Sequence, residues 1–265
     1  MPRPFPLVPR RRFIGVQFGR RRSMRRGLGD EMAGTRPYVP GDLVAHIHWA
    51  ASARLSEAKG TDEFVVREFF AEEAPRVALV QDRRPGMAIH APPSPWLDKR
   101  GAVDAAAGLI AASAAAEHGD VVHAETLELV ARKASALPPG SFVFVLSDFL
   151  VAVPARLWLR LRARRWDVVP VIVQDPLWEQ TFPAVGGVVL PLADPETGLV
   201  QDVWLTARES RARARANERR LDELLARFRR LSFDPVVLGT SDPREIAVSF
   251  EAWAERRRRL WRVQA

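Results

Sequence analysis

Apolar residues in this chain gather into short continuous runs separated by longer segments of mixed polarity. Val77-Ala-Leu-Val80, Phe142-Val-Phe-Val-Leu146 and Val168 to Val173 have the pattern of strands buried on both faces. An Ala-rich stretch from about Gly101 to His118 and an amphipathic one from Pro154 to Arg165 read as the helices between them. Such alternation from Arg76 onward predicts an α/β unit, a mostly parallel sheet with helices on both faces. Val188 to Leu192 and Val200 to Leu205 flank the turn Asp194-Pro-Glu-Thr-Gly198 and predict a hairpin. Thr206 is placed to cap a helix running to about Arg230, with Leu221, Leu224, Leu225 and Phe228 on one face. Pro235 to Gly239 reads as a last short strand. Asp242-Pro243 then opens a terminal helix on which Phe250, Trp253, Leu260 and Trp261 pack while the Arg run faces water or a partner.

The first part of the chain has a different texture. Gly34-Thr-Arg-Pro-Tyr-Val-Pro-Gly-Asp42 is followed by Ile47-His-Trp49, Ser52-Ala-Arg54 and the extended-looking run Phe64 to Phe70. Pro40 and Gly41 signal a turn, and Asp42 can bond its own backbone two residues away. Trp49 and Arg54 are costly to bring together unless they contact something. The expected division is a basic arm over residues 1–30, a small β-rich subdomain over 31–74 and the α/β domain over 75–265.

Length and a 47% hydrophobic content permit a sizeable core. The absence of cysteine excludes disulfides, thiolate metal sites and cysteine nucleophiles. The longest apolar run, Ala105 to Ala116, is short and follows Asp104, which predicts a buried helix and no membrane span. The Arg- and Pro-rich start argues against a secretory signal, so a soluble cytoplasmic protein is expected. The net charge of +8 sits at the ends: nine Arg and one Asp over residues 1–30, five Arg and two Glu over 251–265. Such clusters suit an acidic protein surface. Arg provides 37 of the 40 basic residues throughout, and the aromatics that single-strand binders interleave with them are missing, so no specific nucleic acid is expected.

With Gly27, Gly29, Glu31, Arg36, Tyr38, Pro40, Gly41, Asp42, Ile47, Trp49, Ala53 and Arg54 in this order and spacing, the chain resembles the DUF58 family, whose biochemical activity is unknown. His48 departs from the family pattern, which usually has Asp there. Resemblance continues through Val66-Arg-Glu68, Leu146-Ser-Asp-Phe149, Asp175-Pro176 and the 194–198 turn. It implies a von Willebrand A-like, Rossmann-like domain. It also implies association with a MoxR-type AAA+ ATPase and other von Willebrand A-like proteins, in an adaptor role assisting assembly of a client such as a metalloenzyme, methanol dehydrogenase among them. Arg36, Tyr38, Pro40, Gly41, Asp42, Trp49, Ser52 and Arg54 would then form the partner-binding or structural signature.

In von Willebrand A domains a divalent ion sits on Asp-x-Ser-x-Ser, a threonine from another loop and a later aspartate. Here Asp82 and Asp148 follow the first two strong strands, but Arg84 and Gly86 stand where the two serines would be. Thr126 lies in an alternating run that reads as strand, and residues 120–140 look too short for a strand, a threonine loop and a helix. The resemblance thus implies a degenerate site, with Mg²⁺ held, if at all, by Asp82 and Asp148. Arg83 or Arg84 is a candidate to replace the ion by pairing with both carboxylates, against the alternative that both point into solvent. No catalytic residue is expected. Two other readings stay open: a divalent-metal phosphodiesterase or nuclease using Asp82, Asp148 and Asp175, and a nucleic-acid-binding module using the Arg-rich arm. His46 and His48, two apart, would share one face of a strand, and a two-histidine half-site there lacks a third ligand.

Overall fold

A computed structural model describes residues 3–10, 32–40, 42–60, 63–69, 74–89, 97–132 and 137–264, the side chains of 32–34, 68–69, 132 and 261–264 apart. The chain divides into two units, one of residues 12–73 and one of residues 1–11 with 74–265.

In the smaller unit, strand β1 (Met32–Pro37) and strand β2 (Val65–Phe69) pair antiparallel on either side of helix α1 (Trp49–Lys59). The subdomain expected to be β-rich therefore holds an 11-residue helix against strands of 6 and 5 residues. Trp49-Ala-Ala-Ser-Ala-Arg-Leu is rich in good helix formers, and a local cap completes the signal. The His48 ring accepts from Ala51 N–H, and Gly60 closes the helix in the left-handed region at φ +68°. This corrects the strand expected for the two histidines: His46 ends a short 3-10 turn, Val44–His46, and His48 is a helix cap. Ser52, buried on α1, accepts from Val65 N–H at 2.9 Å and donates to the His48 carbonyl at 3.1 Å, tying helix to strand.

The larger unit follows the alternation in the sequence. Its elements run β3 (Arg76–Gln81), α2 (Lys99–Ala116), β4 (Asp120–Ala124), α3 (Leu127–Arg132), β5 (Phe142–Ser147), α4 (Ala155–Ala163) and β6 (Asp167–Val173). An antiparallel pair, β7 (Val188–Ala193) and β8 (Val200–Leu205), precedes α5 (Ala207–Arg230), β9 (Val236–Leu238) and α6 (Pro243–Gln264). Five strands form a parallel sheet in the order β4-β3-β5-β6-β9. Alternate residues of each strand serve opposite faces. Val77, Leu79, Phe142, Phe144, Leu146, Val169, Val171 and Val173 pack with α2 and α6; Ala78, Val80, Val143, Val145, Val168 and Ile172 pack with α3, α4 and α5. Thr206 and Glu209 form a reciprocal cap at the start of α5, so the hairpin ends where the long helix begins.

Three expectations change. Of the basic arm expected over residues 1–30, residues 3–10 are packed chain, the rest lying outside the described residues: Phe5, Leu7 and Val8 are buried, and Phe5 stacks on Phe250 with ring centroids 4.7 Å apart. Phe5 N–H donates to Ser113 Oγ at 3.0 Å and Leu7 N–H to Glu117 Oε1 at 2.8 Å. Burying one such aromatic side chain contributes about 1.5 to 3 kcal/mol. Residues 120–140, expected to be too short, accommodate both β4 and α3, because α3 is a helix of only 6 residues. Thr126 stands between them, accepting from Leu129 N–H at 3.2 Å, and is no strand residue.

The third change is in α6. Leu260 is exposed, whereas Arg257, from the run expected to face water, is 1% exposed; Trp261 lies outside the described side chains. Positions 250, 253, 254 and 257 share one helical face, so Arg257 continues the stripe of Phe250, Trp253 and Ala254 into the core. Its guanidinium grips Asp167 with two bonds, of 2.7 and 3.0 Å, donates to Asp234 Oδ2 and the Val8 carbonyl at 3.0 Å each, and lies 4.1 Å from the Trp253 ring centroid. We predict that Arg257→Ala lowers unfolding free energy by about 3 to 5 kcal/mol, because Asp167 loses its buried partner. Arg258→Ala, exposed one residue on, should change it by no more than about 0.5 kcal/mol. Urea titration of the two variants checks both values.

Candidate functional site

The signature residues of the smaller unit build a rigid turn. Arg36, at the end of β1, forms a two-pronged ion pair with Asp42, both bonds 2.7 Å. Asp42 also accepts from Val39 N–H at 2.8 Å and donates its own N–H to the Val39 carbonyl at 3.0 Å, which closes the turn around Pro40. Gly41 lies outside the described residues. Tyr38 and Trp49 each meet Phe64 edge to face, at 6.4 and 6.1 Å. Trp49 nevertheless remains 59% exposed, and Val39, Val44 and Phe64 are exposed too. Arg54 is exposed on α1 and makes no ion pair among the described residues. The structure thus joins Arg36 to Asp42 and Trp49 to Phe64, and leaves Arg54 apart from Asp42.

The second constellation lies at the carboxyl ends of the parallel strands. From β3 the chain moves to β4 on one side and later to β5 on the other, and such a reversal opens a crevice beyond the strand ends. Asp82 follows β3 and Asp148 follows β5, so both reach this crevice. Arg84, three residues beyond β3, folds back onto Asp82. Its Nε lies 2.9 and 3.0 Å from the two carboxylate oxygens, and its Nη2 bonds Asp82 Oδ2 as well. The same Nη2 reaches Ser147 Oγ at 3.3 Å and stands 3.8 Å from Asp148 Oδ1. Ser147 donates to Asp82 Oδ2 at 2.7 Å. Burial works against the charge of Asp82, but the bonds from the Arg84 side chain, Arg84 N–H and the Ser147 hydroxyl outweigh it and hold the carboxyl below its ordinary range. Arg83 points elsewhere, to Gln81 and to Asp104 at 2.7 Å.

Asp148 has a second cation. Lys99, at the start of α2 and 4% exposed, places Nζ 2.8 Å from Asp148 Oδ2 and 2.7 Å from Glu179 Oε1. Burial alone would push its amine down, but Glu179 and then Asp148 overcome that and raise it. Glu179 Oε2 accepts from Asp175 N–H at 2.9 Å. Asp175 in turn accepts from the N–H groups of Leu97, Leu177 and Trp178, at 2.8, 2.8 and 3.0 Å, fastening the turn after β6 to the entry of α2. Gln174 Nε2 donates to the Asp148 carbonyl at 2.5 Å.

Lys99, Glu179, Ser147 and Gln174 are functional-site residues that sequence reasoning missed. Lys99 sits in Asp98-Lys99-Arg100, which looks like any charged helix start. Glu179 carried one usable signal, its position four residues after Asp175. The donor set does not fit a hard dication. Both carboxylates already hold a guanidinium or an ammonium group, and Mg²⁺ would have to share the pocket with those two positive charges. Gly86 is needed for packing: a Cβ there would stand 2.1 Å from the Pro195 carbonyl oxygen.

Two outcomes follow. Lys99→Met removes the cation that Asp148 and Glu179 share, leaving Asp148 only the 3.8 Å approach of Arg84, and should cost about 3 to 5 kcal/mol in denaturant unfolding; adding Glu179→Gln should recover part of the loss. In the smaller unit, the side-chain bond from Arg36, with the Val39 N–H second, lowers Asp42 from an ordinary 3.8 to about 2. Its stabilising contribution is therefore complete above pH 3.8 and is lost as pH falls through about 2. Tyr38 is the single tyrosine of the chain, so its ring resonances report this titration directly, and Asp42→Asn should remove the pH dependence.

Among the described residues no helix is long and apolar enough to cross a membrane. No curated protein matches the chain, and no solved structure does. One family model matches over residues 114–223, a span that contains Ser147, Asp148, Asp175, Glu179 and the 194–198 turn but neither the 36–54 signature nor Asp82, Arg84 and Lys99. The family is DUF58, described as a protein of unknown function, and the match supports the likeness to it that the signature residues carry.

Proposed function

We propose that this chain is a noncatalytic interaction protein whose larger unit is a degenerate von Willebrand A-like domain, with its cation pocket filled by its own side chains. One observation carries the reading: Arg84 and Lys99 stand on Asp82 and Asp148, where an ion would have to bind. A guanidinium matches a carboxylate in a planar, two-pronged way and needs no exchangeable ligand. Charge neutralisation of this kind keeps the crevice shaped and offers no activated water. In the DUF58 setting such a domain serves as an adaptor for a MoxR-type AAA+ ATPase, helping a client complex such as a metalloenzyme to assemble. The exposed aromatic edge around Trp49 and Phe64 and the arginine-rich surface supply contact area for acidic partners.

Calorimetric titration with Mg²⁺ and Mn²⁺ tests the filled pocket. The expected result is no stoichiometric heat with the natural chain; clear binding that Asp82→Ala abolishes would overturn the reading. Co-purification with a MoxR-type ATPase at native salt tests the adaptor role, and a complex that survives gel filtration is the expected outcome.

A further inference from the structure

Beside the filled crevice lies an open groove of about 530 Å³, lined among others by Arg83, Pro85, Ile89, Arg100, Thr197 and Val200. Its walls are fixed in place. Asp194 accepts from Glu196 N–H, Thr197 N–H and the Thr197 hydroxyl at 3.0, 2.7 and 2.8 Å, so the β7–β8 turn is locked. Two glycines then let that turn press onto the loop after β3. A Cβ on Gly86 would strike the Pro195 carbonyl, and one on Gly198, which has φ +73°, would stand 2.9 Å from Pro85 Cβ. Groove walls held this closely give a preformed site, one that loses little entropy on binding.

The lining has two chemistries. Arg83 shares its guanidinium with Asp104. Arg100, exposed on the first turn of α2, has no ion pair among the described residues. Apolar surface surrounds it. Pro85, Ala88 and Ile89 form one side, and Val200, 59% exposed on the hairpin, forms the other. Strand register puts Val200 opposite Ala193, Asp202 opposite Pro191 and Trp204 opposite Val189, so the exposed Asp202 separates Val200 from Trp204 on that face and Val200 marks the groove end of the ribbon. A guanidinium with no ion pair among the described residues, bordered by Pro85, Ala88, Ile89 and Val200, suits one carboxylate carried on an apolar segment. A polyphosphate chain would need a row of cations instead.

We propose that this groove docks an acidic side chain set in an apolar segment of a partner protein, with Arg100 binding the carboxylate and Pro85, Ala88, Ile89 and Val200 receiving the flanking apolar residues. The inference deepens the interaction-protein reading by naming the partner's chemistry at the crevice edge. It stands apart from the metal question, because neither Asp82 nor Asp148 lines the groove.

The test titrates the full chain, labelled with ¹⁵N-arginine, with an acetylated and amidated Leu-Phe-Asp-Leu-Leu peptide and its Asn counterpart, following the arginine Nε–Hε resonances. The expected result is a saturable shift of the Arg100 signal by the Asp peptide. The Asn peptide should bind about tenfold more weakly, since a charge-assisted pair is replaced by a neutral one. Arg100→Glu should abolish binding and Arg100→Lys retain part of it, both with unchanged urea midpoints because the side chain is exposed. No saturable shift, equal affinity for the two peptides, indifference to Arg100→Glu, or a larger Arg100 shift with a single-stranded oligonucleotide would each overturn the proposal. An ATPase complex that forms equally well with Arg100→Glu would sink this inference and leave the adaptor reading intact; Mg²⁺ bound at Asp82 would do the reverse.

Discussion

Neutralising two carboxylates at the ends of adjacent buried strands is the constraint around which the larger unit is organised. Asp82 and Asp148 sit where the sheet reverses direction, partly or wholly out of water, and an unpaired charge there would cost several kcal/mol. Arg84 satisfies one from the loop just beyond β3, and Lys99 satisfies the other from the start of α2. Because Lys99 also binds Glu179, the same ion cluster decides where the turn after β6 lies. Asp175 then receives the Leu97 N–H, so the entry to α2 and the end of β6 are joined twice. Loop geometry across the crevice is thus a consequence of charge pairing.

Where the ion cluster ends, close backbone approach takes over. Gly86 has the Pro195 carbonyl against it, which no larger residue would permit, and the hairpin is anchored there before Thr206 and Glu209 start α5. At the opposite end of the strands Arg257 does for Asp167 and Asp234 what Lys99 does for Asp148 and Glu179. It also holds the first residues of the chain, through the Val8 carbonyl, beside the start of β6. Arginine-rich composition thus hides two kinds of residue: groups solvated on helix faces, and a few that are structural because an acid waits for them inside.

Much of this was legible. Continuous apolar runs gave the central strands and Thr206 gave the cap of α5, because those signals are local. Other signals were local but easily misread. Thr126 followed by Leu127, Val130 and Ala131 has helical spacing, yet the residues before it alternate and suggest a strand. The run from Trp49 to Lys59 is made of helix formers, yet the Pro, Gly and aromatic residues before it suggest turns and strands. Arg257 lies in a run of four arginines, and only its place on the stripe of Phe250 and Trp253 sets it apart.

By itself the sequence determined the alternation of strands and helices and the two acids at the strand ends, since each follows from residue type and spacing along the chain. Tertiary structure alone decided which cations meet those acids. Lys99 is 49 residues from Asp148 and 80 from Glu179, and no periodicity relates them. The parallel sheet brings their elements to one crevice, and once water is excluded a lysine that looked like an ordinary surface charge becomes the cation that two buried carboxylates share.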